Sequence, residues 1–193
     1  MVYARAAGFA VPAVEEVSAD GTEMVMEYVP GPTMLEALAA DPASTVSRCE
    51  RLADLAVSLH AITAPQWLAP GPVEAGPNLV HLDLHPLNVI ESPRGPVVLD
   101  WANAARGSGR VDAALSWLLL LTGGDGGRGL GAVVDDGLRA AAAARFSAVV
   151  GEPDVREVLA EVVEWRSRDR NVGPDEIAAA RRLRDQVSAS GAK

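Results

Sequence analysis

The stretch HLDLHPLNVIESPRGPVVLDW, residues 81–101, holds two of the chain's three histidines, two aspartates and an asparagine around two short β-like runs. VIES (89–92) and PVVLD (96–100) are rich in β-branched residues, and PRG between them supplies turn chemistry. The spacing predicts that strand 97–100 doubles back on strand 89–91. Asn88, just before one strand, and Asp100, closing the other, then lie at the same end of that hairpin. A carboxylate and an amide oxygen so placed are hard oxygen ligands suited to Mg2+, which keeps several waters and takes further oxygens from phosphates. Asp83 stands five residues before Asn88 on the same polar loop and can accept a proton from a hydroxyl without touching a metal. One base and two magnesium ligands are what phosphoryl transfer asks of a protein, whose contribution there is mainly positioning and charge neutralisation.

The rest of the chain limits what can surround this segment. It has 193 residues, 49% hydrophobic and 22% charged, enough for one domain or one large lobe with a real core, and too apolar for a disordered protein. The net charge of −9 arises in residues 1–100, where 13 acids face 4 arginines. Such a surface argues against nucleic acid as a partner, because phosphate backbones need clustered cations. Cys49 is the only cysteine, which excludes an intrachain disulfide, and its place on the apolar side of a helix reads as packing. The opening MVYARAAGF lacks the layout of a signal peptide, and the longest apolar run, AALSWLLLL (113–121), is too short to span a bilayer. A cytoplasmic protein without membrane contact is expected. The sole lysine is Lys193.

Outward from the opening stretch, the order of elements is a few strands, two helices, the small β element and four helices. VYARAAGF reads as the end of a helix stopped near Gly8, and Asp20-Gly21 joins two strands within VPAVEEVSADGTEMVMEYV. Thr33 caps a short helix through Ala40. Leu52, Leu55, Ala56, Leu59 and Ile62 recur at helical steps, with His60 beside them as a core or boundary histidine. NLVHL (78–82) is a further strand. Helices are expected at about 111–122, 132–149 and 153–168, and from Pro174 onward. The fold class is α+β, mostly α, with its chemistry on the loops of a small sheet.

His81-x-Asp83-x-x-x-x-Asn88 followed by Asp100-Trp101 resembles the catalytic and metal-binding loops of the aminoglycoside phosphotransferase family, which has the protein-kinase-like fold. In that family a small residue commonly stands at the position of Leu82 and a glycine at that of Leu87. EMVMEYVPGPTM (23–34) resembles the hinge between the two lobes of such kinases, and RVDAALSW (110–117) the helix after the metal aspartate. The similarity runs in order from residue 1 to about 122. It implies a C-terminal lobe (33–193) preceded by a remnant of the N-lobe and hinge (1–32). It also implies that Asp83 is the catalytic base and that Asn88 and Asp100 hold Mg2+ against the phosphates of ATP. Glu27 and Val29 would hold the adenine edge through their backbones, with Met26 lining the pocket. His81 would orient the loop, Asp112 would brace it, and a small-molecule hydroxyl would be the acceptor.

The family's glycine-rich strand–turn–strand and its strand lysine have no counterpart here. Arg5 is the only basic residue among the first 47. A chain without a phosphate-holding lysine stabilises charge poorly, so weak or absent turnover is expected of it alone. A missing lobe or a second copy would be expected to cover the exposed sheet edge. Three other readings compete. His81, Asp83 and His85 alternate and, on a strand, would share one face as a zinc-hydrolase site. The run 127–132 loosely fits a dinucleotide-binding G-x-G-x-x-A, although a helix precedes it and a plain helix–helix loop explains it. A non-catalytic interaction protein is the third.

Overall fold

The computed structural model describes residues 1–123 and 129–191. In chain order the elements are α1 (Val2–Ala6), β1 (Val14–Val17), β2 (Met24–Met26), α2 (Met34–Ala40), α3 (Thr45–His60), β3 (Asn78–Val80), β4 (Val89–Ser92), β5 (Gly95–Val98), β6 (Ala105–Gly107), α4 (Gly109–Thr122), α5 (Asp136–Val150), α6 (Glu152–Arg166) and α7 (Pro174–Gly191).

The helical part is built around α4. Its residues from Val111 to Leu120 are all buried, which is why the sequence there is apolar on every side rather than striped. α5, α6, α7 and α3 pack against it. Leu52 and Leu59 of α3, Phe146 of α5, Leu159 of α6 and Leu115 and Leu118 of α4 are buried together in one core. Each such side chain contributes about 1.5–3 kcal/mol by leaving water. Cys49 is part of this core, and burial pushes its thiol up to about 12, so it is packing and not a nucleophile. Ala4, Phe9 and Val11, from the N-terminal segment, join the same core.

α2 starts where the sequence says it should. Thr33 Oγ1 accepts from the Glu36 N–H at 3.1 Å, and the Glu36 carboxylate accepts from the Thr33 N–H at 2.7 Å. This reciprocal pair, a capping box, satisfies two of the helix's orphan donors and is worth about 1 kcal/mol. Immediately before it, Gly31 passes so close to β4 that a Cβ there would lie 2.4 Å from the Glu91 carbonyl oxygen, and its φ of +138° suits only glycine. The segment after β2 is thereby held on the β4–β5 hairpin, where Val29, Ile90 and Val97 form a small second core.

All strands pair antiparallel in twos: β1 with β2, β3 with β6, and β4 with β5. Three sequence expectations need correction. β6 was not foreseen, because three residues, Ala-Arg-Gly, carry no readable period; it pairs Leu79 with Arg106 and Val80 with Ala105. β5 stops at Val98, so Asp100 does not close the strand but follows it at φ +54°, in the left-handed region that aspartate tolerates better than most residues. α5 starts at Asp136 and not near 132: Asp135 accepts from the Leu138 N–H at 2.9 Å as its cap, and residues 130–132 form a separate 3-10 turn. Of the run 127–132 considered for dinucleotide binding, residues 127 and 128 lie outside the described residues, and Leu130–Ala132 form that 3-10 turn.

Candidate functional site

The polar loop between β3 and β4 hangs from one carboxylate. Asp112, in the first turn of α4, is 1% exposed. Its Oδ2 accepts from the His81 N–H at 3.0 Å and faces His60 Nε2 at 2.9 Å, and its Oδ1 accepts from the Leu82 N–H at 2.7 Å. Burial pushes this carboxyl up, but the hydrogen bond and charge of His60, together with the loop donors, outweigh it and hold it below the ordinary carboxylate value. These bonds keep Leu82 at φ +60°, a conformation a leucine does not choose for itself.

His81 is fully buried. Its Nε2 lies 2.8 Å from the Leu99 carbonyl oxygen, which can only accept, so Nε2 carries the proton. Burial lowers its pKa, against the opposing pull of Asp112, and the ring packs edge-on against Trp101 with centroids 5.0 Å apart. His81 thus ties the loop to the residue before Asp100. His60 is the residue whose part in the site sequence reasoning missed. Its carbonyl accepts from Asn78 Nδ2 at 2.6 Å, and the Asn78 side chain in turn accepts from the Gly109 N–H at 3.2 Å. Nothing in the helical spacing of α3 distinguishes such a brace from an ordinary boundary histidine.

Asp83 projects from the loop with 22% of its side chain exposed. Asn88 Nδ2 donates to the Asp83 carbonyl at 2.9 Å and to Asp83 Oδ2 at 3.3 Å. Burial pushes the Asp83 carboxyl up, but His85 by hydrogen bond and charge, then the charges of Arg166 and His81, hold it below its usual range. The carboxylate is therefore ionised at neutral pH. Asn88 ends the 3-10 turn Pro86–Asn88, and its carbonyl accepts from the Leu99 N–H at 2.8 Å, extending the β4–β5 register Val89↔Val98 by one step. Asn88 and the exposed Asp100 are thus at the same end of the hairpin, as its geometry predicted.

Met26, Glu27 and Val29 line a cleft of about 450 Å3 together with Tyr28, Ile90 and Leu99. The Glu27 carboxylate faces elsewhere, accepting from the Ala13 N–H at 3.1 Å and from Arg94 Nη2 at 2.5 Å. The cleft and the polar loop meet at the hairpin: Leu99 lines one and is bonded to His81 and Asn88 of the other. The zinc reading fails on this geometry. His81 is engaged inside, and among the described residues no three His, Cys, Asp or Glu side chains converge on a common point.

Compared with known proteins, the sequence matches no protein-family model and no curated protein. The structure does have counterparts. An aminoglycoside-3'-phosphotransferase of type VIII superposes with a TM-score of 0.56 at 19% identity, over 96% of this chain and 77% of that one. The fold is that of a kinase-like C-terminal lobe. An amicoumacin kinase, solved in complex with AMP-PNP, Ca2+ and Ami, superposes with a TM-score of 0.52 at 14% identity, over 98% of this chain and 75% of that one. The kinase-like lobe explains why a small sheet and a polar loop sit on one face of a helical core. Among the described residues no helix is long and apolar enough to cross a membrane.

Proposed function

We propose that this chain binds a nucleoside triphosphate, ATP in the first instance, with Mg2+, and directs its terminal phosphoryl group to the hydroxyl of a small molecule. The observation that supports this reading is the bond of Asn88 Nδ2 to Asp83 Oδ2 at the end of the β4–β5 hairpin that Asp100 follows, while Ile90 and Leu99 of the same segment line the cleft with residues 26–29. In this reading residues 1–32 are the hinge side and 33–193 the catalytic lobe. The donor set suits magnesium. Asn88 turns its amide nitrogen to Asp83, which leaves Oδ1 on the other side of the amide, and the Asp100 carboxylate is exposed at the same end. When bound, Mg2+ supplies charge neutralisation for the phosphate oxygens.

The remaining roles belong to the chain's own side chains. Met26 and Val29 present apolar surface to a base, and the backbone of Glu27 and Val29 offers it an acceptor and a donor. Asp83, ionised and clamped, takes the proton of the acceptor hydroxyl as it attacks. His81 and Asp112 hold the loop in place. Turnover by this chain is weak, because the only lysine is Lys193 and phosphate charge near the cleft is met by too few cations.

Titration with AMP-PNP tests the reading directly. Binding should require Mg2+ and weaken at least tenfold in Asp100→Asn, and single-turnover loss of γ-phosphate from ATP should vanish in Asp83→Asn. Binding indifferent to Mg2+, or none, refutes it. A second reading is favoured by the exposure of Val17, Met24, Val25, Met26 and Tyr28 on and beside the β1–β2 hairpin, Tyr28 at 86%. Such a surface suits a non-catalytic interaction protein, or a site for a further lobe or second copy. Sedimentation separates the cases: a discrete dimer that binds no nucleotide supports interaction, a monomer that binds Mg2+ and AMP-PNP supports the enzyme.

A further inference from the structure

His85 is the one histidine of the polar loop left without a part in that proposal. It caps the 3-10 turn Pro86–Asn88: its ring Nδ1 accepts from the Leu87 N–H at 3.3 Å, and its carbonyl accepts from the Asn88 N–H at 2.9 Å. A ring nitrogen that accepts carries no proton, so the proton of the neutral ring is on Nε2. That nitrogen lies 3.5 Å from Asp83 Oδ1 and 3.3 Å from Asn88 Nδ2.

The orientation of Asn88 follows from counting partners. As placed, its Nδ2 donates to the Asp83 carbonyl and to Asp83 Oδ2, and it faces one other donor, His85 Nε2–H. Turned over, its Oδ1 would gain His85 but confront two oxygens of Asp83. Two attractive contacts against one decide for the first arrangement. The Asp83 carboxylate is then bonded at Oδ2 by Asn88 and faced at Oδ1 by the His85 Nε2–H, 3.5 Å away.

We propose that His85 is a positioning residue that, as its Nε2–H tautomer locked by the Leu87 N–H, sets the orientation of the Asp83 carboxylate, whose oxygens in turn fix the Asn88 amide. This placement concerns only the chain's own geometry; its catalytic consequence rests on the phosphotransferase reading above. The two ring nitrogens have separable jobs. Asparagine at 85 has an oxygen where Nδ1 was, so it keeps the turn but cannot reach Asp83. Glutamine has an amide that reaches as far as Nε2 but gives up the cap.

Two measurements test this on the full chain. In long-range 1H–15N spectra of the imidazoles, His85 should carry its proton on Nε2, and the Nε2 resonance should move in Asp83→Asn while that of His60 does not. A proton on Nδ1, or no response to Asp83→Asn, overturns the clamp. In parallel, single-turnover loss of γ-phosphate from Mg2+–ATP should fall about tenfold in His85→Asn with unchanged thermal stability. His85→Gln should keep most of the rate and lose thermal stability. Rates that follow stability across the two variants overturn the positioning role. If the parent chain shows no turnover above Asp83→Asn, the phosphotransferase reading fails together with the kinetic consequence, and the spectra alone decide the clamp.

Discussion

Removing the charge of Asp112 should damage this fold more than any other single-atom change near the site. Asp112→Asn replaces one carboxylate oxygen by an NH2 group at a position with no water to turn to. The better of its two orientations keeps the oxygen toward His81 N–H and His60, now as bonds to a neutral acceptor, each weakened by about 1 kcal/mol. The NH2 then confronts the Leu82 N–H, which lies 2.7 Å from Oδ1 in the parent, leaving a buried donor unpaired at about 1–3 kcal/mol. The expected loss is about 3–5 kcal/mol, in line with breaking a buried charge pair, out of a total of about 5–15 kcal/mol for a domain. Urea unfolding followed by circular dichroism measures it, and native-state hydrogen exchange at the Leu82 amide reports whether the loop loosens first. A loss under 1 kcal/mol, or an unchanged Leu82 exchange rate, refutes the idea that this carboxylate suspends the loop.

Three further outcomes follow from the same contacts. The folded Asp112 and Asp83 carboxyls are both held below their ordinary 3.8, so their stabilisation is complete above about pH 4 and disappears as pH falls through the folded values; the acid limb of the stability curve should be shallower in Asp112→Asn, and an identical limb contradicts this. Leu82→Gly relieves about 1–2 kcal/mol of left-handed strain but removes a side chain only 4% exposed, at about 2–5 kcal/mol, and adds about 0.5–1 kcal/mol of unfolded-state freedom. The variant should be less stable by about 0.5–5 kcal/mol in urea; equal or greater stability means strain dominates. Gly109→Ala would place a Cβ 2.8 Å from His60 Cγ and push the ring off Asp112, for about 1–3 kcal/mol. That loss should shrink in a His60→Ala background, and simple additivity would show that the clash is elsewhere.

How far the sequence could be read depended on whether a feature is local. The cap at Thr33, the helical stripe of α3 and the β4–β5 turn involve partners within a few residues, and all were legible. So was the adjacency of Asn88 and Asp100, because one tight turn fixes it. β6 escaped notice because its pairing with β3 spans more than 20 residues and its three residues have no period. His60 escaped for the same reason: its partner Asp112 is 52 residues away, and a histidine at the end of a helix looks alike whether or not a carboxylate waits opposite. The start of α5 was misplaced because an apolar run such as 130–134 fits a 3-10 turn followed by a cap as well as it fits a helix.

The site's two left-handed non-glycine residues, Leu82 and Asp100, show why such distant partners were needed. They stand near the two ends of segment 81–101, at φ +60° and +54°, and each costs about 1–2 kcal/mol relative to an extended or helical residue. Neither can be held by its immediate neighbours, since local preference runs against both. Leu82 is held by the bond from its N–H to Asp112. The chain just before Asp100 is held at Leu99, whose carbonyl accepts from His81 and whose N–H donates to Asn88. Each of those bonds is of the order of the strain it opposes, so no single contact fixes both bends. The network made by His60, His81, Asn88 and Asp112 does so, and it presents Asp83 and Asp100 from backbone that the sequence alone would not have adopted.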